Sequence, residues 1–306
     1  MPLNEATRQR IEDWKAIAFE FAPLLMGEAV EPGAVADLRK RYNEFLARDP
    51  APEGVRFSEV DMGGVRGVLA TPDGATGNRT LLYIHGGGYF SGGPDGYHGI
   101  AGHYAKMLGA RVYMPDYRLA PEHRFPVPLD DTLTAYTWLV KTVGDARNVV
   151  IAGDSAGGAM TVSLMVRAKR AGIPLPAGSV AISPWCNLEM NNPSYKTRDG
   201  IDPLCTRDIL VLMARTALGS MRPNDADASP VHADVRGLPP VLIQIGESEV
   251  MLDDGIQLAN HLAQNGVRTS LEVWPDMFHV WPVFSSIVPE GRQALENGCA
   301  FLDRLF

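Results

Sequence analysis

A serine bracketed by glycines is the residue of this chain best suited to covalent chemistry. Ser155 lies in the sequence GDSAG, with Gly153 two positions before it and Gly157 two positions after it. Glycines at these spacings let a strand turn sharply into a helix without a Cβ collision, which lifts the serine hydroxyl out of the turn. The amide of Ala156 then lies at a helix N-terminus, where it can stabilise negative charge. The pattern predicts a nucleophilic serine; the alternative interpretation is an ordinary tight strand-to-helix connection.

A second glycine-rich segment, HGGGY, occupies residues 85–89. Successive glycines let the backbone approach a ligand closely and direct amide groups into a cavity. We therefore predict that the amides of Gly87 and Gly88 form an oxyanion hole together with that of Ala156. His85 is interpreted as a hydrogen-bond partner that fixes this loop, and the alternative for the whole segment is a flexible glycine loop.

A serine hydroxyl is a weak nucleophile at neutral pH, so it needs a base and a carboxylate that orients the base. After a turn of this kind the expected chain order is serine, acid, histidine. Among seven histidines, only His261 and His279 come late enough to follow an acid placed after a predicted strand that ends near Ile245. His261 lies in an amphipathic helical pattern and is predicted at the surface. His279 lies in a loop after another strand and is predicted to be the general base.

The acid is expected in the segment GESEVMLDDG, which directly follows the strand ending near Ile245. It offers four carboxylates, namely Glu247, Glu249, Asp253 and Asp254. The order of the residues alone leaves open which of them orients His279.

Short apolar runs typical of strands alternate with these segments. Eight strands are predicted at residues 55–61, 65–70, 80–84, 111–114, 149–151, 179–182, 240–245 and 270–273. Helices are predicted near residues 97–108, 128–143, 207–217 and 291–305, and another follows the GDSAG turn. Gly63 and Gly64 join the first two strands as in a hairpin, so an antiparallel pair is expected there. The alternation predicts an α/β fold in which about eight mostly parallel strands are flanked by helices.

Residues 1–50 show a helical pattern, in which Ile11, Trp14 and Phe21 recur at helical spacing before a second amphipathic stretch. We predict that this segment forms a helical cap over a catalytic domain at residues 51–306, with a second cap segment near residues 186–220. The alternative is simple packing of the N-terminal helices on the core.

Composition limits the function classes. The 306 residues are 45% hydrophobic and 21% charged, as in an ordinary globular protein. A net charge of −8 disfavours nucleic acid and anionic lipid as partners and suits a small neutral substrate. A secretory signal pattern and an apolar run of bilayer length are both missing, which predicts a cytoplasmic protein without stable membrane insertion. Three scattered cysteines predict free thiols, and their spacing predicts no metal site.

Several motifs together resemble those of the bacterial hormone-sensitive-lipase-like esterases, of the GDSAG type, within the α/β-hydrolase fold. The motifs are HGGGY, DYRLAPEH at residues 116–123, GDSAGG, SPW at residues 183–185 and FHVW at residues 278–281. The resemblance spans residues from about 55 to 306. It implies an α/β-hydrolase fold with a helical cap, cofactor-free hydrolysis of short to medium acyl esters through an acyl-enzyme, and often a homodimer.

The resemblance also implies an acid. That family usually takes the first aspartate of a D-P-L-x-D-E segment, and alignment with the end of that segment puts Glu249 at this position. Glutamate is a departure from the family pattern, although it offers the same carboxylate to the imidazole. Glu249 is therefore the predicted acid, and Asp253 is the alternative.

Four aromatic residues flank the predicted chemistry and are predicted to line an apolar substrate pocket, although each is equally well explained as core: Tyr89, Trp185, Phe278 and Trp281.

Two other functions remain open. A lactone or amide hydrolase would use the same machinery, and the SEVMLDD and FHVW variants look similar to those of a subgroup that includes lactone hydrolases. A non-catalytic small-molecule receptor on a hydrolase fold is a more remote alternative. Such receptors lose the catalytic histidine, whereas His279 is present here.

Overall fold

A single mixed sheet forms the centre of the molecule. A computed structural model describes residues 3–26, 33–75 and 77–306. Among these residues, eight strands form the sheet, which confirms the predicted α/β-hydrolase fold. In chain order the strands are β1 (Val55–Asp61), β2 (Arg66–Pro72), β3 (Thr80–Ile84), β4 (Arg111–Pro115), β5 (Val149–Asp154), β6 (Ser179–Ile182), β7 (Val241–Gly246) and β8 (Thr269–Trp274).

The spatial order of the strands is β1-β2-β4-β3-β5-β6-β7-β8. Strand β2 pairs antiparallel with both β1 and β4, whereas every other pairing is parallel. The antiparallel start agrees with the hairpin predicted from Gly63 and Gly64, both of which have positive φ. Strands β3, β5 and β7 are buried along their whole length, because helices cover both faces of the sheet.

Nine α-helices flank or follow these strands within the described ranges. They are α1 (Glu5–Leu25), α2 (Ala34–Leu46), α3 (His98–Leu108), α4 (Val127–Val143), α5 (Ala156–Arg170), α6 (Ser194–Thr197), α7 (Arg207–Leu218), α8 (Leu252–Gln264) and α9 (Pro289–Asp303). Short 3-10 helices occur at Pro94–Tyr97, Ala146–Asn148, Pro230–His232 and Trp281–Phe284. Within the same ranges, no helix combines the length and apolar character that crossing a bilayer requires.

The register of the parallel strands brings the predicted site segments to one edge of the sheet. Ile84 at the end of β3 pairs with Gly153 of β5, so the HGGG loop leaves the sheet beside the GDSAG turn. Gly246 at the end of β7 pairs with Trp274 at the end of β8. The segments after β3, β5, β6, β7 and β8 therefore meet at the carboxyl edge, where ligands bind in open α/β sheets.

Helices α1 and α2 pack on each other near this edge. The ring centroids of Trp14 and Tyr42 are 5.2 Å apart, and the Trp14 indole N–H donates to the carbonyl of Leu204 at 3.1 Å. Helix α1 also contacts α7. The cap predicted at residues 1–50 includes residues 1, 2 and 27–32, which lie outside the described residues.

Candidate active site

The backbone at Ser155 adopts a conformation that few residues tolerate. Its φ of 54° and ψ of −120° carry the chain from β5 directly into α5, which begins at Ala156. A Cβ on Gly153 would lie 2.6 Å from the carbonyl oxygens of Gly157 and Ile84, and one on Gly157 would lie 2.0 Å from that of Ile84. Both glycines are therefore required sterically, as the GDSAG pattern predicts.

Ser155, His279 and Glu249 form a continuous hydrogen-bonded chain. The Oγ of Ser155 is 2.9 Å from Nε2 of His279, and Nδ1 of His279 is 2.8 Å from Oε2 of Glu249. Because a carboxylate can only accept, Nδ1 carries the proton and Nε2 accepts from the hydroxyl. The three residues are 8%, 4% and 0% exposed. The structure thus brings together the three residues predicted for nucleophile, base and acid.

The surroundings of His279 favour its protonated form. Burial lowers the pKa of the imidazole, whereas the hydrogen bond and charge of Glu249 raise it. The charges of Asp202 and Asp154 add to the rise, so the pKa lies above its ordinary value. An imidazole with this environment is suited to receive a proton from Ser155.

Ser183 and Gly246 hold the second oxygen of Glu249. Oε1 accepts from the Ser183 hydroxyl at 2.7 Å and from the Gly246 amide at 2.6 Å. The Ser183 Oγ also accepts from the amide of Val280, which follows His279 in the chain, at 3.0 Å. Ser183 therefore joins the acid to the histidine loop. Ser183 belongs to the SPW motif, but nothing in its local sequence predicts this role.

The other three carboxylates of the acid segment have separate partners. Asp253 accepts from the amide of Ser194 at 2.8 Å and lies in the first turn of α8. Glu247 forms an ion pair with Arg198 at 2.6 Å. Asp254 is buried, and burial raises its pKa to about 7. Among these carboxylates only Glu249 has a hydrogen bond to His279 in the part of the chain that the structure describes.

The HGGG loop presents amide groups beside Ser155. Gly87 and Gly88 have φ values of 104° and 62°, and a Cβ on Gly87 would lie 2.2 Å from the carbonyl oxygen of Ser91. Among the described residues, no acceptor pairs with the amides of Gly87, Gly88 and Ala156. Unpaired amides near a nucleophile provide what a developing oxyanion requires.

A buried aspartate fixes the start of this loop. Asp154 accepts from the hydroxyl of Tyr83 at 2.8 Å, the amide of Gly86 at 3.1 Å and the hydroxyl of Tyr97 at 3.2 Å. Burial raises its pKa to about 6. These bonds connect the residue before Ser155 to the loop that carries the candidate oxyanion amides.

Two other histidines, His85 and His261, contact residues outside the chain of Ser155, His279 and Glu249. His85 is buried, stacks on Tyr117 at a centroid distance of 4.1 Å, and burial lowers its pKa to about 4. His261 was predicted at the surface but is half-buried, because its Nε2 lies 2.8 Å from the carbonyl oxygen of Ala233.

A cavity of about 50 Å³ opens on Ser155 and His279. Its wall is mainly apolar and comes from α1, α7 and the segment before α7. The apolar wall includes Trp14, Phe21, Leu204, Ile209, Leu210 and Met213. Met213 lies over the candidate oxyanion loop, since a Cβ on Gly88 would be 2.5 Å from its sulfur.

None of the four aromatic residues predicted to line a substrate pocket lies on this cavity. All four are buried in the core: Tyr89, Trp185, Phe278 and Trp281. Their contacts with other core residues explain why these side chains do not reach the cavity. Tyr89 packs on Phe125 and Trp185 at centroid distances of 4.8 and 5.8 Å, and Phe278 packs 6.0 Å from Phe284. The indole N–H of Trp281 donates to the Glu290 carbonyl at 3.3 Å.

Comparison with known proteins agrees with this architecture. Residues 81–283 match the model of a family described as having the alpha/beta hydrolase fold. An acetyl-hydrolase from Streptomyces hygroscopicus is 40% identical over 224 residues, which cover 73% of this chain and 75% of that protein.

Solved structures of esterases superpose on almost the whole length of this chain. A crystal structure of a mutant esterase is 35% identical, covers 100% of this chain and 99% of the other, and superposes with a TM-score of 0.91. An esterase from the bacterial hormone-sensitive lipase family is also 35% identical, with coverages of 96% and 98% and a TM-score of 0.86. The chain therefore belongs to the alpha/beta hydrolase fold family, and within it to the esterases of the bacterial hormone-sensitive lipase type.

Proposed function

We propose that this esterase hydrolyses carboxylic esters of short to medium acyl chain length through a covalent acyl-enzyme on Ser155. The observation that carries the proposal is the hydrogen-bonded chain from Ser155 through His279 to Glu249, which ends at an apolar cavity beside three unpaired amides. These are the parts that acyl transfer requires.

In the first half-reaction, Ser155 Oγ attacks the ester carbonyl while Nε2 of His279 takes the hydroxyl proton. The amides of Gly87, Gly88 and Ala156 stabilise the resulting oxyanion, and Glu249 stabilises the imidazolium. His279 then gives its proton to the leaving alcohol as the ester C–O bond breaks. In the second half-reaction water attacks the acyl-enzyme, with the proton passing again through His279, and the carboxylic acid leaves.

The preference for short acyl groups rests on the size and chemistry of the cavity. A cavity must offer about 10–15 Å³ to hold a single water. The cavity of about 50 Å³ therefore holds only a few heavy atoms without movement of its wall. We further propose that α1, α2 and α7 act as the cap, because Trp14, Tyr42 and Met213 line the cavity. A homodimer and a cytoplasmic location stay predictions.

Hydrolysis of p-nitrophenyl esters from acetate to laurate tests the proposal. We expect kcat/KM to be highest between acetate and hexanoate and to fall for octanoate and longer chains, because longer chains must displace the apolar wall. Rapid mixing should show a burst of p-nitrophenol stoichiometric with enzyme where deacylation is slower than acylation. Absence of turnover with every ester would contradict the proposal and favour a lactone or amide substrate, or a receptor function.

The pH dependence of kcat/KM should reflect His279. The base must be neutral, so activity rises with pH as the imidazole loses its proton. Because the pKa of His279 is raised, the acidic limb is expected above the ordinary histidine value of about 6.5. Rates with p-nitrophenyl acetate, corrected for product ionisation and measured in overlapping buffers, would show this. An acidic limb at or below pH 6 would contradict a raised pKa for His279.

A further inference from the structure

A second buried carboxylate lies between the cavity wall and the acid segment. Asp202 is 5% exposed and precedes α7. Its Oδ1 accepts from the amides of Leu204 at 2.9 Å and Cys205 at 3.1 Å, while its Oδ2 accepts from the amide of Val250 at 3.0 Å. Val250 directly follows Glu249 in the chain. One side chain thus bonds to two segments that are 45 residues or more apart in sequence.

The cavity side of this connection is the wall of the proposed acyl pocket. Leu204 and Cys205 both line the cavity. The Leu204 carbonyl also accepts from the indole N–H of Trp14, another lining residue, at 3.1 Å. The two amides that Asp202 binds therefore belong to the surface that a substrate would contact.

The other side of the connection is joined to the acid segment at further points. The Ser194 hydroxyl donates to the carbonyl of Val250 at 2.7 Å, and the amide of Asp253 donates to Ser194 Oγ at 3.1 Å. Arg198 pairs with Glu247 at 2.6 Å. Asp202 is the member of this set that reaches both the acid segment and the cavity wall.

We propose that Asp202 is a positioning residue that fixes the loop of the catalytic acid Glu249 to the wall of the acyl pocket. The inference rests on the proposed esterase function. Asp202 does not touch the reacting atoms; it acts through Val250 on Glu249 and through Leu204 and Cys205 on the bound acyl group. Its loss should therefore change both proton transfer and acyl-chain preference.

The negative charge of Asp202 affects His279 independently of these hydrogen bonds. The ionisable groups that influence His279 are Glu249 after β7, Asp202 before α7 and Asp154 at the end of β5. Burial raises the pKa of Asp202 to about 6, so the carboxylate is mostly charged at neutral pH. The cysteine thiol beside it at position 205 is buried, and burial raises its pKa. A negative charge at Asp202 favours the imidazolium that forms as Ser155 loses its proton.

Asp202→Asn in the full chain tests the proposal with an almost unchanged side-chain volume. The asparagine side chain has one oxygen, so it can accept either from the amides of Leu204 and Cys205 or from that of Val250. Its NH₂ group then faces the backbone N–H of the other segment, with which it cannot form a hydrogen bond. We expect kcat/KM for p-nitrophenyl acetate to fall roughly tenfold to hundredfold, as a misplaced catalytic group would cause. The acidic limb should move to lower pH, because one negative charge near His279 is gone. The ratio of kcat/KM for hexanoate to that for acetate should also change.

Asp254→Asn is the matched control. Asp254 is also buried and is hydrogen-bonded to Tyr195 at 2.9 Å and Asn192 at 2.7 Å, but among the described residues it makes no bond to the cavity wall. The carboxylates that chiefly raise the pKa of His279 are Glu249, Asp202 and Asp154. The control should lower the melting temperature while leaving the acidic limb and the hexanoate-to-acetate ratio in place.

A second variant keeps the test decisive if Asp202→Asn does not fold. Asp202→Glu retains the charge but lengthens the side chain, so it should keep the acidic limb near the wild-type position and alter the hexanoate-to-acetate ratio. The proposal would be overturned if Asp202→Asn left both the acidic limb of the pH profile and the hexanoate-to-acetate ratio unchanged. Wild-type kinetics in Asp202→Glu would overturn it as well. Those outcomes leave the esterase function intact. A wild type without ester turnover would overturn the proposed function and the role of Asp202 with it.

Discussion

Ser155→Ala is expected to abolish ester hydrolysis, with kcat falling on the order of 10⁶-fold. The change removes the atom that we propose forms the acyl-enzyme, and it leaves His279 and Glu249 paired with each other. Among the described residues, the hydroxyl has its one hydrogen bond with His279, at 2.9 Å. The fold should therefore persist, and the burst of p-nitrophenol should disappear together with steady-state turnover.

Ser285→Ala provides a matched control for this variant. Ser285 is also buried, but its Oγ lies outside the cavity and has no hydrogen-bond partner in the part of the chain that the structure describes. Removing that hydroxyl should leave kcat and KM unchanged. Steady-state rates and burst amplitudes of both variants, with circular dichroism to verify folding, make the comparison. A stoichiometric burst from Ser155→Ala would show that another residue is acylated.

The sheet could be predicted because its signals are local. The β-branched run at residues 149–151 indicated a buried strand, and β5 extends it to Asp154, since that residue still pairs with Ile182 of β6. The steric requirement for glycine at the Ser155 turn also depends on local sequence. Gly153 and Gly157 were predicted from their spacing alone, and the structure shows the carbonyl oxygens that a Cβ would meet there.

The pocket could not be predicted in the same way, because distant segments build its wall. Trp14 and Met213 are almost two hundred residues apart in sequence, yet both line the cavity. Nearness in sequence to Ser155 or His279 does not by itself place a side chain on the cavity. Tyr89 directly follows the HGGG segment, but its positive φ of 62° accompanies a ring that packs on Phe125 in the core.

Supporting residues were missed for a related reason. Ser183 and Asp202 are ordinary polar residues in their local sequence, and nothing in the spacing marks them. Their roles become visible only when the ends of β6 and β7 are adjacent and the segment before α7 packs on the acid loop. The choice of Glu249 came from family resemblance, since the residues themselves left four carboxylates open.

Glu249→Gln is expected to lower kcat/KM roughly 10⁴-fold, by analogy with the loss of the orienting carboxylate in serine hydrolases. Oε1 of Glu249 accepts from the amide of Gly246 at 2.6 Å, while Oε2 accepts from Nδ1 of His279 at 2.8 Å. A glutamine amide has one oxygen, so its NH₂ must face one of these donors. Either the Gly246 amide loses its acceptor or His279 changes tautomer, and then Nε2 carries a proton and cannot take one from Ser155. The variant should also lose the stabilisation of the imidazolium.

Asp253→Asn separates this effect from a general loss of charge in the same loop. Asp253 bonds to the Ser194 amide at 2.8 Å rather than to His279, so its replacement should cost stability while leaving kcat/KM within about tenfold of wild type. Kinetics of the two variants with p-nitrophenyl acetate, each with a melting temperature, decide between the two carboxylates. If Asp253→Asn loses more activity than Glu249→Gln, the acid loop must rearrange when substrate binds. If Glu249→Gln loses more activity than Asp253→Asn, a glutamate performs the orienting role that this family usually gives to aspartate. The Glu249 carboxylate then binds His279, the Ser183 hydroxyl and the Gly246 amide at the end of β7 together.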